Sequence, residues 1–445
     1  MATYRMRLSF PDEALLLNGC PGVVGMAAVF KGEAPELREV RARVAERWTA
    51  LRRMSQVLDT SNAPGTSDSP DSPGAPDSPD TSGVSGGDGR RAAHRRRAHW
   101  VVREPFRPAT HVLAARHGLD DLWADVFDRP LPDGPPPWRL HVVPGGPEGG
   151  FALALVAQHV LLDGRSLETL LHALMDDIVP VRATGRPPLP RVRLGAVGRE
   201  LKALTARGQA LPTPSPHRTS PSIAVRTLSS DTFRAARRHP LGTRGATPNE
   251  LLISAVAGAL RAHFGPSPHW PGTRPVYTAV PCDLRARDNE HELGNGATAV
   301  QVALPLDVDD PVARLRVCRT SLQTVPARSG VHAAALLPWG ETVKRVAPWT
   351  VARMADRAAR PTFAATATTV LKWRDTSSAF QGSRLRHVVG LPPLHRPGSA
   401  SFLLAQNNSA CTLTVVCHLL PHSAQRLADA VVDEFEALAR RQRKT

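Results

Sequence analysis

Seventeen histidines are spread along the chain, and residue type alone singles out none of them. The setting of His159 does. It lies in FALALVAQHVLLDGRSLETLLHAL (Phe151 to Leu174), where an apolar run ends in Gln158-His159, followed by three apolar residues and Asp163-Gly164. A strand ending there would deliver the imidazole just beyond a sheet edge. Val160 to Leu162 would pack the turn, and Gly164 would allow a tight bend into a helix. A neutral imidazole so placed can act as a general base, taking the proton of an alcohol, amine or thiol that attacks an activated acyl carbon. A thioester suits such chemistry, because its leaving group needs neither metal nor redox cofactor. The same pattern also fits a core histidine satisfied by backbone contacts. Nor does the position of Asp163 establish a His–Asp relay, since that carboxylate could pair with an arginine and brace the loop.

Composition narrows the classes. The five cysteines (Cys20, Cys282, Cys318, Cys411, Cys417) are scattered with no CxxC pair, which points to a reducing compartment and away from a structural metal. The first residues lack the apolar core of a signal peptide, and no run approaches the roughly 18 apolar residues of a membrane span. The expectation is a soluble, cytoplasmic protein, with peripheral membrane contact left open. A formal net charge of +16 favours anionic partners: nucleic acid, coenzyme A phosphates or an acidic carrier protein. Only RRAAHRRR (Arg90 to Arg97) is densely basic, aromatics are 5% and no reader motif is present, so no nucleic-acid partner is expected.

Around the central motif, strands and helices alternate. VVGMAAVFKG (Val23 to Gly32) reads as a strand and Pro35 to Met54 as a helix. Leu119 to Gly145 reads as a helix, a proline-rich turn and a strand carrying Trp138, after which come a strand over Phe151 to Ala157 and a helix over Arg165 to Met175. Further on, Thr247 to Phe264 and Asp310 to Thr324 suit helices. Arg274 to Asp283, Thr298 to Leu304 and Cys411 to Leu420 suit strands, and Ser423 to Arg441 a terminal helix. The pattern predicts mixed α/β layers. Ser61 to Gly89 repeats Asp-Ser-Pro, is almost free of apolar residues and is expected to be a mobile insertion.

HVLLDG resembles the HxxxDG core of the coenzyme A-dependent acyltransferase and condensation-domain superfamily. The likeness is greatest to bacterial wax ester synthase/diacylglycerol acyltransferases, whose motif is HHxxxDG. The second histidine, that family's catalytic base, falls on His159, and the first falls on Gln158. FDRPLPDGPPPWRLHVVPG resembles the family segment leading into the active-site strand, with Trp138 at its tryptophan. HWVVREPFRPATHV places His111 on a later family histidine. In GATPNELLISAVAGALR, Asn249 matches an Asn-Asp pair and Glu250 replaces the aspartate. VPCDLR and LGNGATAVQVALPL place Arg285 and Asn295 on an arginine and a Gly-Asn.

The resemblance implies an α/β fold of two chloramphenicol-acetyltransferase-like subdomains, here 1–200 with an insertion over 61–97, and 201–445, forming a V around a central tunnel. His159 would sit mid-tunnel as general base, without an acyl-enzyme. Asp163 would point away and hold the loop, with Arg285 as its partner, Gly164 would serve geometry, Asn295 would line or brace the tunnel, and Trp138 would either border it or, as is commoner for a tryptophan, lie in the core. No cofactor would be tightly bound. CoA or phosphopantetheine would arrive as part of the donor, an acyl-CoA or acyl carrier protein, and the acceptor would be a small alcohol or amine. Two departures bear on substrate: His217 to Asp231 lacks the family's Pro-Leu-Asn-Gly, and Thr362 to Ser378 lacks its Ser-Asn-Val-Pro-Gly-Pro. They open a choice between lipid-type esters and specialised metabolites such as antibiotics. They also keep an alternative: a noncatalytic condensation-like protein that binds or recruits an acyl carrier protein.

Overall fold

The strands follow the apolar runs. In chain order they are β1 (Tyr4–Arg7), β2 (Val23–Phe30), β3 (Val57–Asp59), β4 (His99–Val102), β5 (Val112–Ala114), β6 (Trp138–Pro144) and β7 (Phe151–Gln158) in the first half. The second half supplies β8 (Ser220–Ser229), β9 (Tyr277–Asp283), β10 (Ala297–Ala303), β11 (Thr366–Lys372), β12 (Ala379–Phe380), β13 (Ser383–Leu391), β14 (Ser399–Gln406) and β15 (Ala410–Leu419). This computed structural model describes residues 4–442 apart from 21, 60–97, 103, 130, 146–148, 178–191, 214–218, 239–243, 267–269, 271, 286–291, 374–377 and 408–409. The insertion expected over 61–97 thus lies outside the described residues.

Two six-stranded sheets carry the mixed α/β fold, with a small sheet β1-β4-β3 beside them. The first has the order β12-β13-β2-β7-β6-β5, and β2 and β7 are its buried centre. Both faces of these strands are covered, which is why they read as nearly continuous apolar runs rather than alternating ones. Met26, Ala28, Leu153 and Leu155 face a core shared with the helices Leu37–Trp48 and Gly164–Ala173. Val23, Ala27, Ala154 and Val156 face the helix Leu119–Asp128 and Val416 of β15. The second sheet has the order β10-β9-β11-β14-β15-β8. Its core is filled by the helices Pro248–Phe264 and Ser423–Gln442. Thr247 and Glu250 start the first of these with a reciprocal capping box.

The two halves of the chain interlock. β12 and β13 belong by sequence to the second half, yet β13 pairs antiparallel with β2 in the first sheet. A division at residue 200 therefore separates strands that share a sheet. Leu371, Trp373, Leu403 and Ala405 of the second half are buried in the core of the first. Among the described residues, no helix is long and apolar enough to cross a membrane.

A buried polar cluster ties the helix Leu194–Thr205 to the segment after β10. Glu200 accepts hydrogen bonds from Arg328 at 2.7 and 2.9 Å, and its carboxylate meets His332 Nε2 at 3.0 Å. His332 opens a π-helical turn, His332–Leu336, and its Nδ1 lies 2.6 Å from Thr298 Oγ1. Burial alone would raise the Glu200 carboxyl, but the hydrogen bonds from His332 and Arg328 outweigh it and hold the group at about 2. A depressed folded-state value stabilises the fold above the unfolded carboxyl's pKa, roughly 4.3, and that contribution fades as pH falls toward 2. Glu200→Gln should cost about 2 kcal/mol at pH 6. In urea unfolding it should also lose less stability than the parent between pH 6 and pH 3. Equal losses would reject this linkage.

Candidate active site

The turn that presents His159 is fixed by its backbone. Gln158 N–H donates to Pro137 O at 3.0 Å, and His159 N–H donates to Gly22 O. Leu161 and Leu162 N–H return to Gln158 O at 2.9 and 3.2 Å, folding the chain back immediately after β7. Val160, Leu161 and Leu162 are buried, so the three apolar residues of the motif anchor the turn.

The imidazole is held from the other half of the chain. His159 Nδ1 lies 3.2 Å from Asn295 Oδ1. Asn295 Nδ2 donates to Asp12 Oδ1 at 2.8 Å and to Val160 O at 3.1 Å. Both of those atoms are acceptors, so the amide nitrogen must face them and the amide oxygen must face the ring. His159 Nδ1 is then the donor, and Nε2 keeps its lone pair. Asp12 is buried and pairs with Arg53 at 3.5 Å. Arg53 also donates from Nε to Leu161 O at 2.9 Å and from Nη2 to Val160 O at 3.2 Å, so one guanidinium holds both the carboxylate and the turn. Sequence reading missed Asp12. It sits in the first turn of the helix Phe10–Leu17, behind the Ser9 cap. An acidic residue there ordinarily complements the helix dipole, so no local signal marks it.

Asp163 turns away from His159. It caps the helix Gly164–Ala173 by accepting from Ser166 N–H at 2.9 Å, and it accepts from Gly296 N–H at 3.0 Å. Arg285 Nη2 meets it at 2.9 Å, with both side chains buried at 4% and 7% exposure. The same guanidinium donates to Glu292 O at 2.9 Å and Gly294 O at 2.8 Å. Gly294 has φ +128°, a conformation that favours glycine. A Cβ on Gly296 would come within 2.6 Å of the Arg285 guanidinium. The Gly-Asn-Gly sequence thus lets the loop bend, present an amide to His159 and lie flat on the arginine. At Gly164 the structure departs from expectation. The bend is made by Asp163 in extended conformation, φ −98° and ψ 176°, while Gly164 begins the helix without positive φ. A Cβ there would meet only Leu371, at 3.9 Å.

Trp138 does not border the space around His159. It is fully buried, donates from Nε1 to Met54 O at 2.8 Å and stacks on His111 at 4.2 Å. This packing agrees with the core position for Trp138 rather than the tunnel one, and it makes His111 a core residue as well. Burial pushes the His111 imidazole down to about 4. Glu250 likewise belongs to its helix cap, and Arg319 pairs with it at 3.1 Å.

His159 lines a cavity of about 310 Å³, with Leu16, Val126, Phe127, Gln158 and His395 also in its wall. Asn295 and Arg285 line a second cavity of about 190 Å³. The His159–Asn295 contact therefore joins residues that line two different spaces. Sequence reading also missed His395. Among the described residues, no group of three or more His, Cys, Asp or Glu is placed to hold a metal ion.

A family model described as the wax ester synthase/diacylglycerol acyltransferase catalytic domain matches residues 89–257. The solved wax ester synthase/diacylglycerol acyltransferase from Marinobacter aquaeolei VT8 is similar over 98% of this chain and 99% of its own, at 16% identity and TM-score 0.61. Over residues 89–257 the chain is thus similar to the wax ester synthase/diacylglycerol acyltransferase catalytic domain, and along nearly its whole length it shares the fold of that solved enzyme. A second solved structure of similar fold is the trichothecene 15-O-acetyltransferase from Fusarium sporotrichioides, at 12% identity and TM-score 0.64, covering 98% of this chain and 95% of that one. By sequence, a probable diacylglycerol O-acyltransferase of Mycobacterium tuberculosis strain H37Rv is 28% identical over 221 residues, which are 42% of this chain and 48% of the relative. The chain spans about half the length of the curated relatives it matches.

The Asp163–Arg285 contact has a direct test. Asp163→Asn keeps a helix cap but takes the buried carboxylate from the Arg285 guanidinium, leaving it only the more exposed Asp283 at 3.2 Å. It should lower stability by about 3 kcal/mol in chemical denaturation, with activity falling alongside. A variant with parent stability and kinetics would reject a bracing role.

Proposed function

We propose that this protein is an acyltransferase that moves an acyl group from a CoA or phosphopantetheine thioester to an alcohol or amine, with His159 as general base. The observation that carries this reading is the imidazole itself. Its Nδ1 is engaged by Asn295, which leaves Nε2 as the basic atom, and the residue lines a cavity. In the proposed reaction the acceptor's lone pair attacks the thioester carbonyl as Nε2 takes its proton. The tetrahedral intermediate then collapses, the C–S bond breaks, and the imidazolium returns the proton to the leaving thiolate. Transfer is direct, with no acyl-enzyme. The bound thioester supplies only a good leaving group and its recognition handle.

Several features support this arrangement. The cavities lined by His159 and by Asn295 suit a donor and an acceptor arriving from opposite faces of a V-shaped pair of subdomains, roughly 1–200 and 201–445 with the crossover strands β12 and β13 joining the first. The net charge of +16 suits CoA phosphates or an acidic acyl carrier protein. Gln158 also lines the cavity, where it can donate or accept a hydrogen bond but cannot serve as a second base. The altered later motifs point away from committing the chain to long-chain wax or triacylglycerol synthesis.

Purified protein incubated with acyl-CoA and carrier-bound donors, alcohols and amines should yield an ester or amide identified by product mass. His159→Ala should lower the rate at least about 100-fold, and Asn295→Ala about tenfold through loss of ring orientation. An unchanged rate in His159→Ala would reject the general base. A kinetically competent acyl-protein in intact-mass spectra would reject direct transfer. Carrier binding without turnover would favour the recruiting alternative.

A further inference from the structure

His395 is a second imidazole in the wall of the cavity that His159 lines. It lies in Pro392-Pro393-Leu394-His395-Arg396-Pro397-Gly398, the link from β13 in the first sheet to β14 in the second. This link is held at several points. Arg396 donates to Asp356 at 2.7 Å and to Asn18 O at 2.6 Å. Ser399 Oγ donates to Arg396 O at 2.5 Å and Ser401 Oγ to Pro393 O at 3.0 Å. Gly398 N–H donates to His418 O at 3.0 Å, and the His418 side chain donates to the His395 carbonyl. Three prolines further restrict the backbone, and Gly398, at φ +86°, makes the exit.

The ring itself is not used by this scaffold. Among the described residues, it makes no hydrogen bond. Burial, with His159 nearby, pushes its pKa down to about 4, so the ring is neutral at physiological pH. A neutral imidazole has one N–H donor and one acceptor. His159 is committed to proton transfer in the proposed reaction, and its own proton-bearing nitrogen faces Asn295. Acyl transfer makes one further demand: negative charge accumulates on the former carbonyl oxygen and needs a preorganised donor. The main-chain amide of His159 is already spent on Gly22.

We propose that His395 is a catalytic residue that donates its ring N–H to the oxyanion of the tetrahedral intermediate formed at His159. The inference rests on the acyltransferase reading above. As the acceptor attacks, the carbonyl π pair moves onto oxygen, and His395 N–H stabilises that charge without giving up its proton. When the C=O bond reforms and the thiolate departs, the hydrogen bond relaxes. The two rings divide the chemistry: His159 moves the proton and His395 holds the charge.

The test compares parent, His159→Ala, His395→Phe and His395→Gln with an acyl-CoA and acceptor pair that the parent converts. Phenylalanine keeps a ring of similar volume without the donor, while glutamine restores an N–H. His395→Phe should lower kcat about 100-fold with KM for the donor within threefold, and His395→Gln should recover at least a tenth of parent kcat. Thermal melts identify a variant that fails to fold, in which case His395→Gln and His395→Asn decide the matter through the same split of kcat from KM. A folded His395→Phe within threefold of parent kcat overturns the oxyanion role while leaving the His159 reading intact. A loss confined to KM also overturns it, as it would indicate substrate binding only. A parent with no transfer activity toward any donor and acceptor overturns both readings together.

Discussion

The arrangement around the motif depends on one loop from the second half docking on one turn of the first. Residues 292–296 lie across the turn between β7 and the following helix, and a single buried arginine, Arg285, clamps the two by meeting Asp163 and the Glu292 and Gly294 carbonyls together. With that clamp closed, Asn295 can reach both His159 and Asp12. The desolvation cost of placing this charge pair in the interior is offset by hydrogen bonds that use nearly every polar atom on both sides. The clamp therefore fixes the register of the Gly-Asn-Gly loop as well, and with it the side-chain amide that meets His159 Nδ1.

The two sheets supply rigid supports on either side. β7 is central to the first sheet and delivers the motif from a frame covered on both faces. β9 and β10 are joined by the segment that carries Arg285 and the Gly-Asn-Gly loop. Residues from both halves share a core, so movement of one against the other would repack Leu371, Trp373 and Leu403 as well as the loop contacts. A site assembled across such a boundary inherits the precision of the packing on each side.

Much of this was legible in the sequence, and the limits have physical causes. The runs at Val23, Phe151 and Cys411 appear as β2, β7 and β15 because an uninterrupted apolar stretch has few other outcomes. The helix expected from Thr247 starts there, where Thr247 and Glu250 form a capping box. By contrast, β8, β11, β13 and β14 drew no expectation. β8 and β13 carry arginines and half-buried positions, so their patterns are weak. The crossing of β13 into the first sheet is a long-range pairing that no local period encodes. At the site, His159, Arg285 and Asn295 could be singled out because each lies in a recognisable short motif. Asp12 and His395 lie in segments whose local reading is a helix start and a proline-rich turn. Trp138 went to the core because its ring finds His111, Trp48 and Phe106 around it.

The crossover of β13 also constrains how the protein can be taken apart. A fragment ending near residue 200 would expose the free edge of β2 along its length, where Gly25 to Phe30 normally pair with Leu391 to Leu385. Such an edge is a template for foreign strands. A cut at the apparent midpoint of the chain divides the first sheet. A split reporter, domain graft or circular permutation that preserves this sheet must carry residues 379–391 with the N-terminal portion, and with them the tied-down link that returns the chain to its second sheet.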